Sequence, residues 1–206
     1  MFTIGLTGGI GSGKSEVTRK LGELGAKVVN ADLVGHEIYL PDTQGWKEVI
    51  EAFGEDILQP NKEVDRKKLG AKVFGNPEAL ETLNAITWPK IKAGIRDRLD
   101  GHSAQGAKVA VFEAALLIEA KLNDLANEIW VVTSPEEAVI QRVKERNNFP
   151  EEAIRKRIRA QLSNEKRLEY ADIAIDNAGN LETLHTRINT LWDSHVKNKV
   201  RSNESG

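Results

Sequence analysis

The clearest chemical signal in the chain is the stretch TGGIGSGKSE at residues 7–16. Gly8, Gly13, Lys14 and Ser15 fit the pattern G-x-x-x-x-G-K-[ST], which is typical of loops that bind nucleotide phosphates. The apolar run FTIGLT before the pattern predicts a β-strand, and EVTRKLGEL after it has the periodicity of an amphipathic helix. A glycine-rich loop between a strand and a helix is the context expected of a P-loop.

The predicted P-loop has the groups needed to hold a polyphosphate. Glycines allow the backbone to curl so that successive N–H groups point into one hollow, and the following helix adds the positive end of its dipole. Lys14 is expected to reach the β- and γ-phosphates, and the Ser15 hydroxyl to ligate Mg²⁺. The expected nucleotide contacts are Gly8, Gly9, Ile10, Gly11, Ser12, Gly13, Lys14, Ser15 and Glu16. Glu16 follows near the expected position of an α-phosphate, so its carboxylate is expected to point outward.

Four further β-type runs, separated by helical patterns, predict an α/β fold. They are AKVVN (26–30), AKVAVFE (107–113), EIWVVTS (128–134) and ADIAIDN (171–177). Apolar strands alternating with helices are typical of a parallel sheet, here a five-stranded sheet of the P-loop NTPase type flanked by helices. Ligands bind beyond the carboxyl ends of such strands. Asp32 lies just past the second strand, and Glu113 ends the third in a pattern that looks like a loose Walker B motif.

The chain between the second and third strands, about residues 33–106, is far longer than the dozen or so residues that a parallel crossover needs. Four helical segments are predicted within it, at 45–53, 65–74, 77–86 and 88–99, the last with Pro89 in its first turn. An all-helical insertion at the ligand edge of the sheet favours a cap over a second substrate. The alternative is an appendage that only stabilises the fold.

Residues 136–169 carry a concentration of arginines on two predicted helices. These are Arg142, Arg146, Arg155, Arg157 and Arg159. Arginine-bearing helix pairs close over phosphates in many kinases, where guanidinium groups stabilise the transferring charge. The pattern therefore favours a helical lid, and the alternative is a pair of solvated helices whose arginines pair with neighbouring glutamates.

A GTPase interpretation fails on order and spacing. Asp176 and Gly179 fit D-x-x-G, and NKEVD at 61–65 faintly resembles a guanine-binding motif, but the first follows the last strand and the second lies in the insertion. Gly179 more simply makes the turn into a final helix. The predicted apolar face of that helix comprises Leu181, Leu184, Ile188, Leu191 and Trp192. Residues 197–206 are predicted to form a disordered tail.

Composition bounds the remaining possibilities. The 206 residues are 40% hydrophobic, which is enough for one domain with a sizeable core. A net charge of −2 argues against sequence-independent nucleic-acid binding, and the lack of cysteine excludes disulfides and thiolate metal sites. The P-loop pattern begins so near Met1 that no signal peptide is expected, and no apolar run suits a membrane span. We expect a cytoplasmic monomer that acts on small molecules, without nucleic-acid or membrane partners.

Taken in order, these segments resemble the dephospho-CoA kinase family. The resemblance rests on GLTGGIGSGKS, ADLVGHEI, DRKKLGAKVFGNPEALETLNAITWPKI, EAALLIE, QRVKERN and IRKRIRAQLSNEKRLEYADIAIDNAGNLE, and it covers about residues 3–190. It implies that ATP, with Mg²⁺, donates its γ-phosphate to the ribose 3′-hydroxyl of dephospho-CoA, which is the last step of coenzyme A synthesis. From the residues alone the acceptor stays open: another small-molecule or nucleoside monophosphate kinase, or a non-catalytic ATP-binding module, is the alternative.

The resemblance also assigns roles to individual residues. It implies that Asp32 orients the acceptor hydroxyl and takes its proton. Arg142 is implied to clamp phosphates, so that Asp32, Lys14 and Arg142 form the catalytic set. Asn177 and Gly179 are implied to lie near adenine.

The implied organisation is a single domain over residues 1–206. Its parts are a nucleotide-binding core (1–32, 107–135 and 170–196), an acceptor-binding insertion (about 33–106), a lid (about 136–169) and the tail (about 197–206). The chain departs from the family's usual residues at Asn30, where many members have aspartate, at Trp88, where many have histidine, and at Glu16, where threonine is common. The proton-accepting role is therefore transferred to Asp32 alone.

Overall fold

The structure is a computed structural model, and it describes residues 1–147 and 149–204. A five-stranded sheet organises the fold, with strands β1 (Phe2–Gly8), β2 (Lys27–Asn30), β3 (Val109–Glu113), β4 (Glu128–Thr133) and β5 (Ile173–Asp176). The strand order is β2-β3-β1-β4-β5, and β1 pairs in parallel with both β3 and β4. This all-parallel sheet confirms the predicted fold class. Because β1 is central, the loop after it lies at the middle of the carboxyl edge.

Helices follow the strands and fill the long connection between β2 and β3. They are α1 (Lys14–Glu23), α2 (Ala31–Glu37), α3 (Gln44–Phe53), α4 (Arg66–Val73), α5 (Pro77–Ala104), α6 (Glu136–Asn147), α7 (Glu151–Arg159), α8 (Asn164–Leu168), α9 (Leu181–Leu191) and α10 (Lys197–Glu204). Several of these helices have an N-cap residue whose side chain accepts hydrogen bonds from the first backbone N–H groups. These N-cap residues are Asn30, Thr43, Asp65, Ser163 and Asn180. No helix within the described residues has the length and apolar character to cross a bilayer.

The chain divides into two compact units, where the sequence predicted one domain with an insertion. The first unit comprises Met1–Val29 and Leu99–Gly206, and the second comprises Asn30–Arg98. Helix α5, which ends at Ala104, continues past Arg98. The predicted insertion over about residues 33–106 stays a prediction.

The core of the first unit lies between the sheet and the helices α1 and α9. Ile4, Leu6 and Trp130 of the sheet are fully buried, and Val17 and Leu21 of α1 pack in the same cluster. The predicted apolar face of the final helix enters this cluster through Leu184, Ile188, Leu191 and Trp192. The remaining predicted member, Leu181, is 55% exposed because it is the first residue of α9 and no further helical turn covers it.

The second unit has its own apolar cluster, built from α3, α4 and α5. Within it, α5 is one helix that contains Pro89, which corrects the prediction of two helices with Pro89 in the first turn of the second. Pro89 lacks the N–H that would bond the Ala85 carbonyl oxygen. The side chains of Thr87 and Lys90 donate to other carbonyl oxygens of this stretch, those of Leu83 and Ile86. Because Leu83 and Ile86 also pack on the unit's core, tertiary contacts hold the helix across the proline.

The predicted disordered tail is wrong for residues 197–204, which form α10. The helix is held by packing and by charge: Val200 lies against the core cluster of the first unit, and Lys199 pairs with Glu128 at 3.1 Å. The polar composition of this segment concealed these two anchors. The last two residues of the predicted tail, 205–206, lie outside the described residues.

Glu128 joins β4 to the C-terminal segment through several hydrogen bonds. It is 7% exposed, and its carboxylate accepts from His195 Nε2 at 2.8 Å and from Trp130 Nε1 at 3.1 Å. Burial alone raises the pKa of Glu128, but the hydrogen bonds from His195, Trp130 and Lys199 outweigh it, so the pKa lies below its ordinary value of 4.5. The charged form of Glu128 therefore stabilises the folded state.

We expect Glu128→Gln to lower the free energy of unfolding by about 1–3 kcal/mol at pH 7, because the substitution removes a buried charged acceptor. A group with a lowered pKa contributes fully above its unfolded value, so the difference from the parent protein should shrink as the pH falls below about 4.5. Urea unfolding at pH 7 and at pH 3 measures both quantities. Asp193→Asn removes an exposed pair with Lys197 and should cost at most about 0.5 kcal/mol. Equal losses in the two variants would contradict the assignment.

Candidate functional site

The loop between β1 and α1 has the backbone conformation of a phosphate-binding loop. Gly11 and Gly13 have φ angles of 67° and 98°, in the left-handed region that favours glycine. A Cβ atom on Gly13 would overlap the side-chain amide of Asn177, and one on Gly11 would lie 2.8 Å from Val143. Both the loop's curl and its close packing therefore require glycine at these positions.

Lys14 and two distant side chains hold the loop in this conformation. The Lys14 ammonium donates to the carbonyl oxygens of Gly8 at 2.8 Å and Gly9 at 3.2 Å. Asn177 Nδ2 donates to the Ser12 carbonyl at 2.8 Å, and the Ile10 N–H donates to Gln161 Oε1 at 2.8 Å. The sequence assigned Asn177 to the surroundings of adenine and gave Gln161 no role, because neither contact has a signal in local periodicity.

Ser15 lies beside the acidic residue that ends β3. Its hydroxyl donates to Glu113 Oε1 at 3.2 Å, and Thr18 Oγ1 donates to Glu113 Oε2 at 2.9 Å. Glu113 is 9% exposed, so the Ser15 hydroxyl and the Glu113 carboxylate lie together in a largely buried position at the carboxyl end of β3. These oxygen donors suit Mg²⁺. The described part of the chain has no group of three acidic, histidine or cysteine side chains that could hold a metal ion.

Glu16 is occupied by partners on α1 and α9. Its carboxylate accepts from Arg19 Nη2 at 2.5 Å and pairs with His185 Nε2 at 2.5 Å. The hydrogen bond from Arg19 lowers the pKa of Glu16 to about 2, against the opposing effect of burial and with further help from His185.

This pairing gives Glu16 a testable effect on acid stability. The charged Glu16 carboxylate contributes fully to the free energy of unfolding above pH 4.5. This contribution is lost as the pH falls towards about 2, since the pKa of Glu16 is lower in the folded state than in the unfolded state. We expect Glu16→Gln to cost about 0.5–1 kcal/mol at pH 7 and to flatten the decline in stability between these two pH values. Chemical unfolding across the range measures the slope, and identical slopes for the two proteins would contradict the prediction.

Arg142 connects α6 to the ends of β4 and β5. Its guanidinium donates to Ser134 Oγ at 2.9 Å and to the Asn177 carbonyl at 2.8 Å. Ser134 Oγ donates to the same carbonyl at 2.8 Å. Arg142 and the P-loop are thus linked through one residue, because the side chain of Asn177 binds the loop while its carbonyl binds Arg142. Gly179 is exposed in the turn before α9.

Two other arginines of the predicted lid are engaged by neighbouring side chains, as expected if their helix is a solvated one. Arg155 pairs with three carboxylates, those of Glu136, Glu137 and Glu151. Arg157 lies over the ring of Phe149, with its guanidinium carbon 4.1 Å from the ring centroid.

A cleft of about 520 Å³ lies against the P-loop, between the loop and the segment that joins α7 to α8. Gly9 and Ser12 line one part of it, and Arg159, Gln161 and Arg167 line another. Arg167 has no distinguishing signal in the sequence, because its segment NEKRLEY has the composition of an ordinary polar helix. The cleft therefore adds one arginine to the residues that were predicted.

Asp32 belongs to the second unit. It is exposed in the first turn of α2, directly after β2. Asn30 Oδ1 accepts from the N–H groups of Asp32 at 2.9 Å and Leu33 at 3.1 Å. Asn30 thus serves as the N-cap of α2, which fixes the backbone of Asp32.

Comparison with known proteins gives a consistent result. The family model described as dephospho-CoA kinase matches residues 2–183. A dephospho-CoA kinase from Carboxydothermus hydrogenoformans is 43% identical over 188 residues, covering 91% of each chain, and one from Dehalococcoides mccartyi is 39% identical over 191 residues, covering 93% of this chain and 96% of that one. The solved structure of dephospho-CoA kinase from Campylobacter jejuni superposes with a TM-score of 0.72 at 27% identity, covering 96% of this chain and 98% of that chain.

Proposed function

We propose how individual residues divide the work of the reaction, since this chain belongs to the dephospho-CoA kinase family. The chain is a phosphotransferase that transfers the γ-phosphate of ATP to the ribose 3′-hydroxyl of dephospho-CoA, giving coenzyme A and ADP. ATP is the co-substrate, and Mg²⁺ accompanies it as in P-loop kinases generally. The predicted acceptor is thereby confirmed in preference to the other acceptors and to the non-catalytic module.

We propose that the P-loop binds the triphosphate of ATP. The left-handed turns at Gly11 and Gly13, which give the loop the curl of a phosphate-binding loop, are the observation that carries this assignment. Lys14 would leave the Gly8 and Gly9 carbonyls for the β- and γ-phosphate oxygens. Ser15 would ligate Mg²⁺, with Glu113 accepting hydrogen bonds from the ion's water shell. A bound Mg²⁺ neutralises charge on the phosphate oxygens.

The remaining P-loop positions, from Gly8 to Ser12, supply backbone contacts in this proposal. Glu16 contributes only through its backbone at the start of α1, because Arg19 and His185 engage its carboxylate.

Asp32 is the proposed general base. Its carboxylate is exposed beyond the end of β2, where ligands of parallel sheets bind, and the Asn30 cap fixes its backbone. In this role it accepts a hydrogen bond from the ribose 3′-hydroxyl, orients that oxygen towards the γ-phosphorus and takes the proton as the new P–O bond forms. The second unit, Asn30–Arg98, would bind the adenosine and pantetheine parts of the acceptor.

The helices α6, α7 and α8 form the proposed lid, with Arg142 as its phosphate contact. Arg142 is already oriented by Ser134 and by the Asn177 carbonyl, which leaves guanidinium donors for phosphate oxygens. Asn177 supports the P-loop from the nucleotide side, and the exposed turn at Gly179 would lie near adenine. We further propose that the enzyme is cytoplasmic, acts as a monomer and has no nucleic-acid partner, in keeping with two small-molecule substrates and a net charge of −2.

A crystal structure with a non-hydrolysable ATP analogue, Mg²⁺ and dephospho-CoA tests these assignments together. We expect the triphosphate to lie among the P-loop N–H groups, Ser15 to ligate the ion, and a carboxylate oxygen of Asp32 to lie within hydrogen-bond distance of the ribose 3′-hydroxyl. A triphosphate bound elsewhere would overturn the nucleotide assignment. A different group at the 3′-hydroxyl would overturn the role of Asp32 alone.

A further inference from the structure

Arg167 on α8 is a buried charged side chain whose donors are incompletely used. It is 2% exposed, and neither Nε nor Nη2 has a hydrogen-bond partner. Burial lowers the pKa of Arg167, and the nearby carboxylate of Glu119 opposes that lowering. A guanidinium nevertheless keeps its proton in proteins, so a full positive charge with two unused donors lies inside the first unit. Buried polar groups are almost always paired, so this arrangement points to a missing acceptor.

Arg167 lies at the cleft beside the P-loop. Arg167 and Ser12 both line that cleft, and the Ser12 hydroxyl is also buried without a hydrogen-bond partner. Arg167 Nη1 lies 3.4 Å from the position that a Cβ on Gly9 would occupy, which places the guanidinium directly against the loop backbone. Two residues from separate elements that line one cleft thus each carry polar atoms without a hydrogen-bond partner.

Gln161 holds the segment that carries Arg167 against the loop. Gln161 lies six residues before Arg167 in the chain, and its side-chain oxygen accepts from the Ile10 N–H at 2.8 Å. Gln161, between α7 and α8, and Arg167, on α8, therefore lie against the start of the P-loop at Ile10 and Gly9. This double contact fixes the guanidinium on the Gly9 side of the hollow.

We expect the Gly9 end of the loop to face the outer phosphates, because the α-phosphate is expected at the opposite end, near Glu16 at the start of α1. Lys14 Nζ lies 3.2 Å from the Gly9 carbonyl oxygen, and the lysine of a P-loop serves the β- and γ-phosphates. At the other end of the loop, Gly13 lies against the side-chain amide of Asn177, which also donates to the Ser12 carbonyl. An anionic oxygen that satisfies Arg167 would therefore come from the outer end of the triphosphate.

We propose that Arg167 binds the γ-phosphate of ATP, with Nε and Nη2 donating to its non-bridging oxygens. The planar fork of a guanidinium matches two such oxygens, and charge on them persists while the phosphoryl group is transferred. This inference rests on the proposed placement of ATP in the P-loop.

The test is equilibrium binding of Mg-ATP, Mg-ADP and Mg-AMP to the full chain and to Arg167→Met, measured by isothermal titration calorimetry. We expect the Kd of ATP to rise about tenfold to a hundredfold, the loss of a charged bidentate contact, and the Kd of ADP to change less than about threefold. Equal weakening of ATP and ADP, or no weakening of either, would overturn the proposal.

A stability measurement, taken together with the two affinities, separates ligand binding from a structural role. Arg167→Met also removes the positive charge near the Glu119 carboxylate, so the free protein should unfold at a somewhat lower temperature. A purely structural role would lower the unfolding temperature and weaken ATP and ADP equally, whereas the proposed role weakens ATP selectively. If Arg167→Met does not fold, Arg167→Lys serves as the test. Lysine keeps the positive charge but lacks the planar fork of donors, so the Kd of ATP should rise several-fold and the Kd of ADP should stay unchanged.

Two further variants serve as references. Arg155→Met removes an arginine of the neighbouring helix that is engaged by three carboxylates, and its affinity for ATP should match that of the parent protein. Lys14→Ala should weaken ATP strongly. If Lys14→Ala and Arg167→Met both bind ATP normally, the proposed nucleotide site fails; if only Arg167→Met does, the site stands and the present inference fails.

Discussion

Asp32→Asn lowers the turnover of dephospho-CoA by about 10²–10⁴-fold and leaves the Kd of ATP unchanged; this is the result we expect when the carboxylate is the general base for the ribose 3′-hydroxyl. The substitution keeps the shape of the side chain and removes its ability to take a proton. It also spares the local fold, since Asn30 caps α2 through backbone N–H groups and not through the Asp32 side chain. The effect should therefore appear in kcat and not in stability.

Asp42→Asn is the matched control for this experiment. Asp42 is an exposed carboxylate of the same unit, and its φ angle of 69° is one that asparagine tolerates. Its turnover should stay within about twofold of the parent value, as expected for a surface substitution away from the chemistry. Coupled detection of ADP together with mass detection of coenzyme A measures both variants. A loss below tenfold in Asp32→Asn would remove Asp32 from the mechanism.

Local patterns were enough to predict the sheet and the P-loop. The apolar run that ends at Gly8 and the spacing of Gly13, Lys14 and Ser15 determine a strand, a loop and a helix without help from distant residues. The same applies to the acidic end of β3, where Glu113 proved to lie beside Ser15. Such features are encoded within about ten neighbouring residues, so the sequence can reveal them directly.

Contacts between distant segments escaped prediction. Asn177 supports Ser12 across 165 residues, and Gln161 accepts from Ile10 across 151 residues. No periodicity links such pairs, because the sheet brings them together only when it forms. Arg167 escaped for the same reason, since its burial depends on the loop and the cleft and not on the polar helix that carries it.

The predictions that needed correction relied on local propensity at places where packing decides the structure. Pro89 suggested a helix start, yet the core contacts of Leu83 and Ile86 carry α5 through it. The polar residues after 196 suggested disorder, yet Val200 and the pairing of Lys199 with Glu128 order α10. In both places a few buried contacts outweigh the average character of the segment.

Gly13→Ala should weaken ATP binding on the order of a hundredfold, because two costs combine at this position. An alanine at a φ of 98° is strained, and its Cβ would overlap the Asn177 amide that donates to the Ser12 carbonyl. About 3 kcal/mol of strain and displacement corresponds to that loss. Gly70→Ala, in a helix with open space around it, should leave ATP affinity unchanged.

A double-mutant cycle separates the two costs. Asn177→Ala removes the amide that meets the new methyl group, so Gly13→Ala should cost less in that background, with a coupling of about 1 kcal/mol. The backbone strain stays in both backgrounds, so the rescue should be partial. Calorimetric titration of ATP into the four proteins gives the cycle. Strict additivity would mean that Asn177 does not constrain Gly13, and normal ATP binding by Gly13→Ala would mean that the left-handed turn is not needed to hold the triphosphate.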